Sequence, residues 1–392
     1  MRHTRPHAPR PALVPFLLAL AATAPALPAQ LGLQLTNGVD GGIEVPADPR
    51  LVPPTGITVE AWVTYDDASI PTGTFRWPTI VRQNIQNASE VYFFRVGAGT
   101  TASRTLQWKV RAGTQQSTAS YSFAPGEFAQ FTHLAATFDG QVLRIYKNGV
   151  QVATSSLATP AELVYAGDVL RIGNGDAVNP GNETWNGVLD EVRIWPVART
   201  AGEIQSTMNQ SISGYFGKAL MFPLDGHTLD VSSALFGNQF GTSTFVPGAT
   251  LPPLQFLPTA PVGQSTTTCG RSIDALIASM PQIGNASFAV WAARGPRPAT
   301  SQLAVVVGSL NQAPLGLPPF LGVDVAIDPL SVVYQATLIP PTNALGNARL
   351  PLPLPMDPSL PGVSVVFQFA FADATCGPQG LTGSDGIQFS IL

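Results

Sequence analysis

The stretch "GVLDEVRIWPVART" (residues 187–200) indicates the fold better than any other short part of the chain. Its first nine residues alternate like a β-strand, and Thr200 with Glu203 forms the pattern that caps a helix. Alternation predicts that Asp190 and Glu191 point to opposite faces of the strand. A pair of acids two positions apart, which a sandwich glycosidase would direct into one cleft, is absent here.

Strand-like segments surround this stretch over residues 31–214. They alternate or are rich in β-branched and aromatic residues, and they comprise 58–64, 90–98, 106–112, 131–139, 142–149 and 169–175. The turn signals "DG" (139–140) and "NG" (148–149) predict two successive hairpin connections. Regular strands without intervening helices predict an all-β chain with an antiparallel sandwich.

The composition supports short strands joined by turns. Only 11% of the 392 residues are charged, while Gly and Pro contribute 37 each. The sequence predicts an N-terminal domain over 30–248, with a trailing segment from about 215. A Pro-rich linker is predicted over 249–264, followed by a smaller, β-sandwich-like domain over 265–392.

The first 29 residues have the pattern of a secretory signal peptide. Arginines precede the apolar run "ALVPFLLALAATA", and small residues follow it, with cleavage expected after Ala29 or Ala26. A retained N-terminal anchor is the alternative, but the apolar run is short and interrupted by Pro. The sequence therefore predicts a secreted or cell-surface protein with no membrane span after cleavage.

The charges argue against nucleic acid as a partner. This leader carries three of the 20 basic side chains and none of the 24 acidic ones, so the remainder is mildly acidic. Nucleic-acid and membrane surfaces select clustered positive charge, and no polybasic run is present.

Both cysteines, Cys269 and Cys376, lie in the last third of the chain. An even count in an exported protein predicts a disulfide, and two free buried thiols are the alternative.

Several segments together resemble a known family. They are "GITVEAWVT", "FAQFTHLAATFDGQVLRIYKNGVQVA", "LRIGNG" and "WNGVLDEVRIWPVARTAGEI". In order and spacing, residues 31–214 resemble a laminin-G-like, concanavalin A-like jelly-roll domain. The last 125 or so residues are similar to C-terminal β-domains of exported bacterial proteins with no assigned activity.

The first resemblance implies a two-sheet sandwich that binds carbohydrate, protein or surface polymer, often with one structural Ca²⁺. His133 matches the family's W-x-H position, with Phe131 in place of Trp. Because His133 shares a strand face with apolar neighbours, the sequence predicts a structural core histidine rather than a base or a metal ligand.

Asp190 falls on the same predicted strand face as Val188, Val192 and Ile194. An acid on such a face is costly unless it is hydrogen-bonded, paired or bound to metal. Two interpretations stay open: a structural carboxylate that accepts backbone or hydroxyl donors, or a Ca²⁺ ligand with Asp40 as a partner. Glu191 is expected to pair with Arg193 on the opposite, exposed face.

Candidate ligand-binding residues come from two polar loops, because sugars are bound by aromatic rings beside amides. The candidates are Trp77, Arg82, Asn84, Asn179, Asn182 and Trp185, and Asn87 lies in the same loop as Asn84.

We therefore predict a non-catalytic module that recognises carbohydrate or an extracellular polymer. The alternatives are a structural or adhesive surface component that binds protein and, third, a glycoside hydrolase.

Overall fold

The structure is a computed structural model, and it describes most of the chain after residue 29. The described residues are 30–70, 76–83, 90–97, 104–175, 181–214, 216, 219–232, 235–252, 255–256, 259–266, 271–299, 301–373, 375 and 379–392. The predicted signal peptide lies outside them. Within these ranges, no helix has the length and apolar character needed to cross a membrane.

The N-terminal domain is built almost entirely of strands. Its strands are β1 (Leu31–Leu35), β2 (Gly41–Val45), β3 (Ile57–Val63), β4 (Thr79–Gln83), β5 (Tyr92–Val96), β6 (Thr105–Ala112), β7 (Gln115–Ser122), β8 (Thr132–Phe138), β9 (Val142–Lys147), β10 (Val150–Ser156), β11 (Leu170–Ile172), β12 (Gly187–Trp195), β13 (Ile212–Ser213), β14 (Leu220–Phe222), β15 (Asn238–Gly241) and β16 (Thr244–Pro247). A 3₁₀ helix spans Pro49–Leu51, and helix α1 spans Ala201–Thr207.

Two antiparallel sheets form a sandwich. The first sheet has the order β10-β9-β8-β3-β12-β1-β16, with β14 also paired to β12. The second sheet has the order β15-β2-β11-β4-β5-β6-β7. Neighbours that are far apart in sequence, such as β1 and β12, are typical of a jelly roll, so the predicted fold class is confirmed. The trailing segment contributes β14 and β16 to the first sheet and β15 to the second.

The core lies between the two sheets. Trp108 of β6 is fully buried there, and its indole N–H donates to the carbonyl of Thr137 in β8 at 3.0 Å. Tyr92 of β5 is also fully buried, and its hydroxyl donates to the carbonyl of Leu51 at 2.7 Å. Each large aromatic side chain therefore buries its ring and still satisfies its polar atom.

Strand β12 contains a bulge that the alternation did not predict. Leu189 and Asp190 pair with Val63 and Trp62 of β3, but the register then shifts so that Arg193 pairs with Glu60. Glu191, at the bulge, has φ +49°.

The extra residue changes which side chains share a face. Val192 and Ile194 lie in the core with Leu189, and Asp190 is not on their face. The predicted face assignment beyond Asp190 is thus wrong.

Helix α1 begins as the sequence predicts. The Thr200 side chain accepts from the Glu203 backbone N–H, and the Glu203 carboxylate accepts from the Thr200 backbone N–H, which completes a capping box. The helix covers the outer face of the first sheet, where Ile204 packs against Ala135 and Tyr146.

The C-terminal domain is a second, smaller sandwich. Its strands are β17 (Gln255–Phe256), β18 (Thr259–Val262), β19 (Asp274–Ile277), β20 (Ala289–Ala293), β21 (Ser301–Ser309), β22 (Val332–Leu338), β23 (Ala348–Pro351), β24 (Ser364–Asp373) and β25 (Leu381–Ser390). The third sheet has the order β18-β25-β24-β21-β22, and the fourth has the order β19-β20-β23.

The segment predicted as a linker is partly ordered strand. Strand β18 pairs with β25 of the third sheet, and β17 pairs in parallel with β13. The prediction of a semi-extended linker over 249–264 is therefore corrected. Pro261 is tolerated because β18 is an edge strand.

An apolar interface joins the two domains. Trp195, Phe216 and Met221 of the N-terminal domain are buried in one hydrophobic cluster with Ile273 and Phe288 of the C-terminal domain. Because this interface is a continuous core, the two domains are held in one orientation.

A buried polar network reinforces that interface. The Glu60 carboxylate accepts from the Trp195 indole N–H at 2.8 Å and from the Arg199 guanidinium at 2.9 Å. Arg199 Nε in turn donates to the carbonyl of Ala278 at 2.8 Å. Glu203 Oε1 accepts from Trp291 Nε1 of the C-terminal domain at 2.9 Å, which extends the network across the interface.

Candidate functional site

One end of the N-terminal sandwich holds the second predicted binding loop, residues 173–187, of which 173–175 and 181–187 are described. The segment 181–187, which leads into β12, lies across this end. The Asn182 backbone carbonyl accepts from the Trp77 backbone N–H at 3.0 Å. The Asn182 side-chain oxygen accepts from the Arg76 guanidinium at 2.9 Å. Two of the predicted residues, Trp77 and Asn182, therefore lie in contact. Asn84, Asn87 and Asn179 lie outside the described residues.

Arg82 belongs to a buried ion cluster on the outer face of the second sheet. Its side chain is 1% exposed, and Nη1 lies 2.7 Å from Glu183 Oε2. Its Nη2 lies 3.5 Å from Glu90, which also pairs with Lys109 Nζ at 2.9 Å. The prediction that Arg82 offers its guanidinium to a ligand is corrected, because neighbouring carboxylates already engage it.

Trp185 is a core residue. Its side chain is 0% exposed, its indole N–H donates to the carbonyl of Thr64 at 2.9 Å, and its ring lies 4.7 Å from that of Tyr65. A ring enclosed in this way presents no face to a sugar, so its predicted role as a stacking platform is corrected. The sequence could not distinguish the two roles, because a Trp flanked by polar residues occurs in both settings.

Arg95 and two aromatic rings form a patch on the outer face of the second sheet. The guanidinium carbon lies 3.8 Å from the centre of the Phe93 ring and 5.9 Å from that of Trp77. Burial lowers the pKa of Arg95, against the opposing influence of Glu183 and Glu90. The Arg95–Phe93–Trp77 group, here the Arg95 patch, combines a cation with aromatic faces.

A polar cleft opens at the same end of the sandwich. This cleft, here the rim cleft, has a volume of about 590 Å³. Its walls come from the turn after β3, from the start of β6, from the turn before β8 and from the start of β12. The lining residues are Gln34, Thr36, Thr64, Tyr65, Asp66, Asp67, Ala68, Ser69, Arg104, Pro125, Gly126, Ala129, Asn186 and Gly187.

Asp67 and Arg104 form the charged wall of the rim cleft. Arg104 Nε donates to Asp67 Oδ2, and Asp67 Oδ1 accepts from the Gly126 backbone N–H at 3.0 Å. Burial acts to raise the pKa of Asp67, but the hydrogen bonds from Arg104 and Gly126 outweigh it and hold the pKa below its ordinary value. Asp67 is therefore a fixed anion, suited to accept hydrogen bonds and unsuited to donate a proton.

Asn186 and Asp66 fix the opposite wall. Asp66 Oδ1 accepts from the backbone N–H groups of Ala68 at 3.0 Å and Ser69 at 3.2 Å, which folds the turn. Asn186 Nδ2 donates to the Asp66 carbonyl at 2.6 Å and to the Ser69 hydroxyl at 2.8 Å. The turn is thus held in place, so its polar groups have fixed positions.

The sequence did not single out Asp66, Asp67, Arg104 or Asn186. Asn186 falls inside the second predicted polar loop, so position in that loop was the available signal. The other three are brought together by the folding of separate strands, and no sequence spacing links Asp67 to Arg104.

Asp190 is a buried carboxylate that holds two chain segments together. Its Oδ1 accepts from the Glu191 backbone N–H and its Oδ2 from the Ala249 backbone N–H, both at 2.8 Å. Burial, followed by repulsion from Glu191, raises the pKa of Asp190 to about 8. This geometry supports the structural interpretation of Asp190, which ties the chain after β16 to β12.

Glu191 pairs with Arg193 as predicted, at 2.8 Å, but both side chains are buried rather than exposed. Helix α1 and the chain that follows it provide the cover: the Arg193 guanidinium also donates to the carbonyls of Thr207 and Gln210.

The calcium site stays a prediction. Asp40 Oδ1 accepts from Asn174 Nδ2 at 2.9 Å, and the part of the chain that is described contains no group of three or more His, Cys, Asp or Glu side chains placed to hold a metal ion. A thermal melt of Ca²⁺-loaded protein with and without EDTA tests the prediction, since a metal that binds the native state raises the melting temperature.

His133 is buried between the first sheet and the chain that covers it. It is 1% exposed, its ring meets that of Trp62 edge-on at 5.6 Å, and its Nε2 lies 3.8 Å from Glu60. Burial lowers the pKa of His133 to about 4, although Glu60 opposes the shift. The imidazole is therefore neutral at physiological pH and lies far from solvent.

Residues 37–205 match the Laminin_G_3 family, which is described as the concanavalin A-like lectin/glucanases superfamily. The N-terminal domain is similar to laminin-G-like domains over these residues. The resemblance predicted from the sequence is confirmed.

Sequence relatives match only a part of the chain. Pappalysin-1 from Mus musculus and from Homo sapiens are each 40% identical to the chain over 90 residues, which is 22% of this chain. The alignment covers about 5% of the length of pappalysin-1.

Solved structures with a similar chain path include three proteins of low identity. A Bacteroides ovatus protein to which carbohydrate binding has been ascribed is 21% identical, with a TM-score of 0.42, over 58% of this chain and 62% of its own. A SAP-like pentraxin from Limulus polyphemus is 14% identical, with a TM-score of 0.38, over 57% and 97%. The CBM40 of the Ruminococcus gnavus IT-sialidase is 12% identical, with a TM-score of 0.32, over 45% and 97%. Fold alone does not determine function, which depends on the residues of the site.

Proposed function

We propose that the chain is an exported, non-catalytic binding protein whose laminin-G-like domain recognises carbohydrate or an extracellular polymer at the rim cleft. The supporting observation is the cleft itself, with a fixed carboxylate, an arginine, amides and hydroxyls around a volume of about 590 Å³. Volumes of a few hundred Å³ are typical of small-ligand sites. Sugar hydroxyls both donate and accept, so a wall of mixed donors and acceptors suits them.

The chemistry of the acids supports binding rather than hydrolysis. A glycosidase needs one carboxyl group whose raised pKa allows it to donate a proton. In the rim cleft, Asp67 has a lowered pKa and is paired with Arg104. Among the described acids, Asp190 and Glu191 have raised pKa values, but they are 2% and 4% exposed and do not line the cleft. The described groups that could act as acids are thus separated from the cleft that could hold a sugar.

The test uses a substitution that fills the cleft without disturbing the core. Ala68 is exposed and lines the rim cleft, so Ala68→Trp should occupy ligand space while the domain stays folded. Ala158 is also exposed and does not line the cleft, so Ala158→Trp is the matched control. Both variants and the wild type are screened against a polysaccharide and oligosaccharide panel, with binding measured by calorimetry.

The expected result is that wild type and Ala158→Trp bind the same glycan, while Ala68→Trp loses at least about tenfold in affinity, or 1.4 kcal/mol. Absence of glycan binding together with fractionation in the cell envelope would favour the alternative, a structural or adhesive surface component. Turnover of the glycan that is lost in Asp190→Ala would instead favour a hydrolase.

A further inference from the structure

Tyr65 follows strand β3 and belongs both to the core and to the rim cleft. It is 3% exposed, and its ring lies 4.7 Å from that of Trp185 and 6.1 Å, edge-on, from that of Phe123. Its backbone N–H donates to the Phe128 carbonyl at 2.7 Å. Tyr65 nevertheless lines the rim cleft. Its ring is therefore held in the core while one end of the side chain meets the cleft.

The end that meets the cleft is the hydroxyl group. Burial, followed by the negative charge of Asp67, raises the pKa of Tyr65, and the positive charge of Arg104 opposes the shift. Asp67 and Arg104 are both cleft residues. Because the ring is enclosed by core residues and these charges act on the phenol, the hydroxyl lies on the cleft side. It stays neutral, so it can both donate and accept a hydrogen bond.

This hydroxyl has no hydrogen-bond partner within the part of the chain that the structure describes. Tyr92, a buried tyrosine of the same domain, shows the usual arrangement, since its hydroxyl donates to the Leu51 carbonyl at 2.7 Å. A buried polar group without a partner costs free energy, and in a binding cleft the ligand is the partner that can satisfy it.

Arg104 and Asp67 place further hydrogen-bonding groups beside this hydroxyl. The Arg104 side chain donates to Asp67 through Nε, and within the described chain this is its one hydrogen bond. Its two Nη groups therefore keep their N–H donors for a ligand. The Asp67 and Arg104 side chains are 10% and 25% exposed, so the pair lies in the wall rather than in open solvent.

This pair selects against charge in the ligand. An anion would gain from Arg104 and be repelled by Asp67, and a cation would meet the reverse. Either ion would also lose its hydration on entering the wall. A sugar hydroxyl can donate to the carboxylate or accept from the guanidinium without bringing a charge into the cleft.

We propose that Tyr65 is the specificity-determining residue of the rim cleft, where its hydroxyl exchanges hydrogen bonds with a hydroxyl of a neutral glycan beside the Asp67–Arg104 pair. The cleft should then bind neutral sugars in preference to uronic acids, sulfated sugars and amino sugars. This inference rests on the proposed function, because it names the class of glycan that the cleft takes. A ligand with no hydroxyl at that point leaves the Tyr65 hydroxyl buried and unpaired.

Two tyrosine variants with crossed expectations test the residue. Tyr65→Phe removes a hydroxyl that has no described protein partner, so the melting temperature should not fall. Its affinity for the neutral glycan that the wild type binds should fall at least about fivefold. Tyr92→Phe is the matched control, because its hydroxyl is bonded to Leu51 and lies outside the cleft. That variant should melt about 2–4 °C lower and bind the glycan with unchanged affinity.

The class of glycan is tested by calorimetry with three kinds of probe. Cello-, xylo- and manno-oligosaccharides are neutral, oligogalacturonate and heparin fragments are acidic, and chitosan oligosaccharides are cationic. A neutral probe should bind best. Because salt screens only interactions between charges, its affinity should change less than about twofold between low and high sodium chloride.

The outcomes separate this inference from the proposed function. Binding of an acidic or cationic probe that Ala68→Trp abolishes would support glycan recognition at the cleft and overturn the inference. Unchanged affinity of Tyr65→Phe for the neutral glycan, or a melting temperature that falls as far as that of Tyr92→Phe, would also overturn it. A wild type that binds none of the probes would overturn both.

Discussion

Glu203 of helix α1 accepts the indole N–H of Trp291 at 2.9 Å, and this contact joins the laminin-G-like domain to the C-terminal domain. The same carboxylate oxygen accepts from Arg349 Nε at 3.1 Å, while the other oxygen closes the capping box with Thr200. One buried side chain therefore both begins the helix and fixes the orientation of the second domain.

Removing the Glu203 carboxylate should destabilise both domains together. Glu203→Ala leaves Trp291 and Arg349 without their acceptor and opens the capping box, so we expect a loss of about 3–5 kcal/mol in the free energy of unfolding. Urea denaturation followed by tryptophan fluorescence measures it. Gln205→Ala, an exposed change in the same helix, is the control and should cost at most about 1 kcal/mol. A Glu203→Ala cost no larger than that of the control would show that the network does not couple the domains.

Asp190 should make stability fall as the pH rises. The pKa of Asp190 is raised to about 8 in the folded chain, against about 4 when unfolded. The stability that its neutral form contributes is therefore fully present below about pH 4 and is lost progressively as the pH rises to about 8. Asp190→Asn removes the ionisable group, so the decline between these pH values should be smaller in the variant. Its amide nitrogen cannot accept the second backbone N–H, so the variant should also be less stable than the wild type at low pH.

The expected difference is a few kcal/mol, because one unit of pKa corresponds to about 1.4 kcal/mol. Urea denaturation of wild type and Asp190→Asn across the pH series provides the comparison. Asp357→Asn serves as control, since Asp357 lies on an exposed turn and its pKa is lowered by hydrogen bonds from Ser359. Parallel pH profiles for wild type and Asp190→Asn would contradict the assignment.

Cys269 and Cys376 lie outside the described residues, and a disulfide between them stays a prediction. The described residue Thr266, which precedes Cys269, donates its N–H to the Gly383 carbonyl of β25 at 3.0 Å, and Asp373, which ends β24 before Cys376, donates its N–H to the Gly380 carbonyl at 2.9 Å. Both cysteines therefore lie within a few residues of chain that contacts the start of β25. Peptide mapping without reduction should find the two cysteines linked. Since the bond would close a loop of about 100 residues, reduction should cost about 4–5 kcal/mol. Alkylation of both thiols in unreduced native protein would exclude the bond.

Local signals in the sequence predicted local structure well. "NG" at 148–149 gives a two-residue turn in which both residues have positive φ, and Thr200 with Glu203 forms the predicted capping box. These features depend on residues a few positions apart, so their physics is contained in a short stretch of sequence.

Features that depend on distant contacts could not be predicted. The bulge at Glu191 places a glutamate at positive φ, and no turn residue marks it. Trp185 is buried because Tyr65 and Thr64 pack around it, and the rim cleft exists because Arg104 reaches Asp67 across the fold. The sequence singled out the loop that carries Asn182 and Asn186 but could not separate the wall residue Asn186 from the core residue Trp185.

The central claim is that the rim cleft binds a glycan, and hydrogen exchange with and without the glycan selected by the panel tests it most directly. Bound glycan should slow amide exchange in 64–69, 125–129 and 186–187, the segments that wall the cleft. Ala68→Trp should abolish that protection, and Ala158→Trp should retain it. Protection confined to strands β5 and β6 around the Arg95 patch, with no change in the cleft segments, would contradict the account.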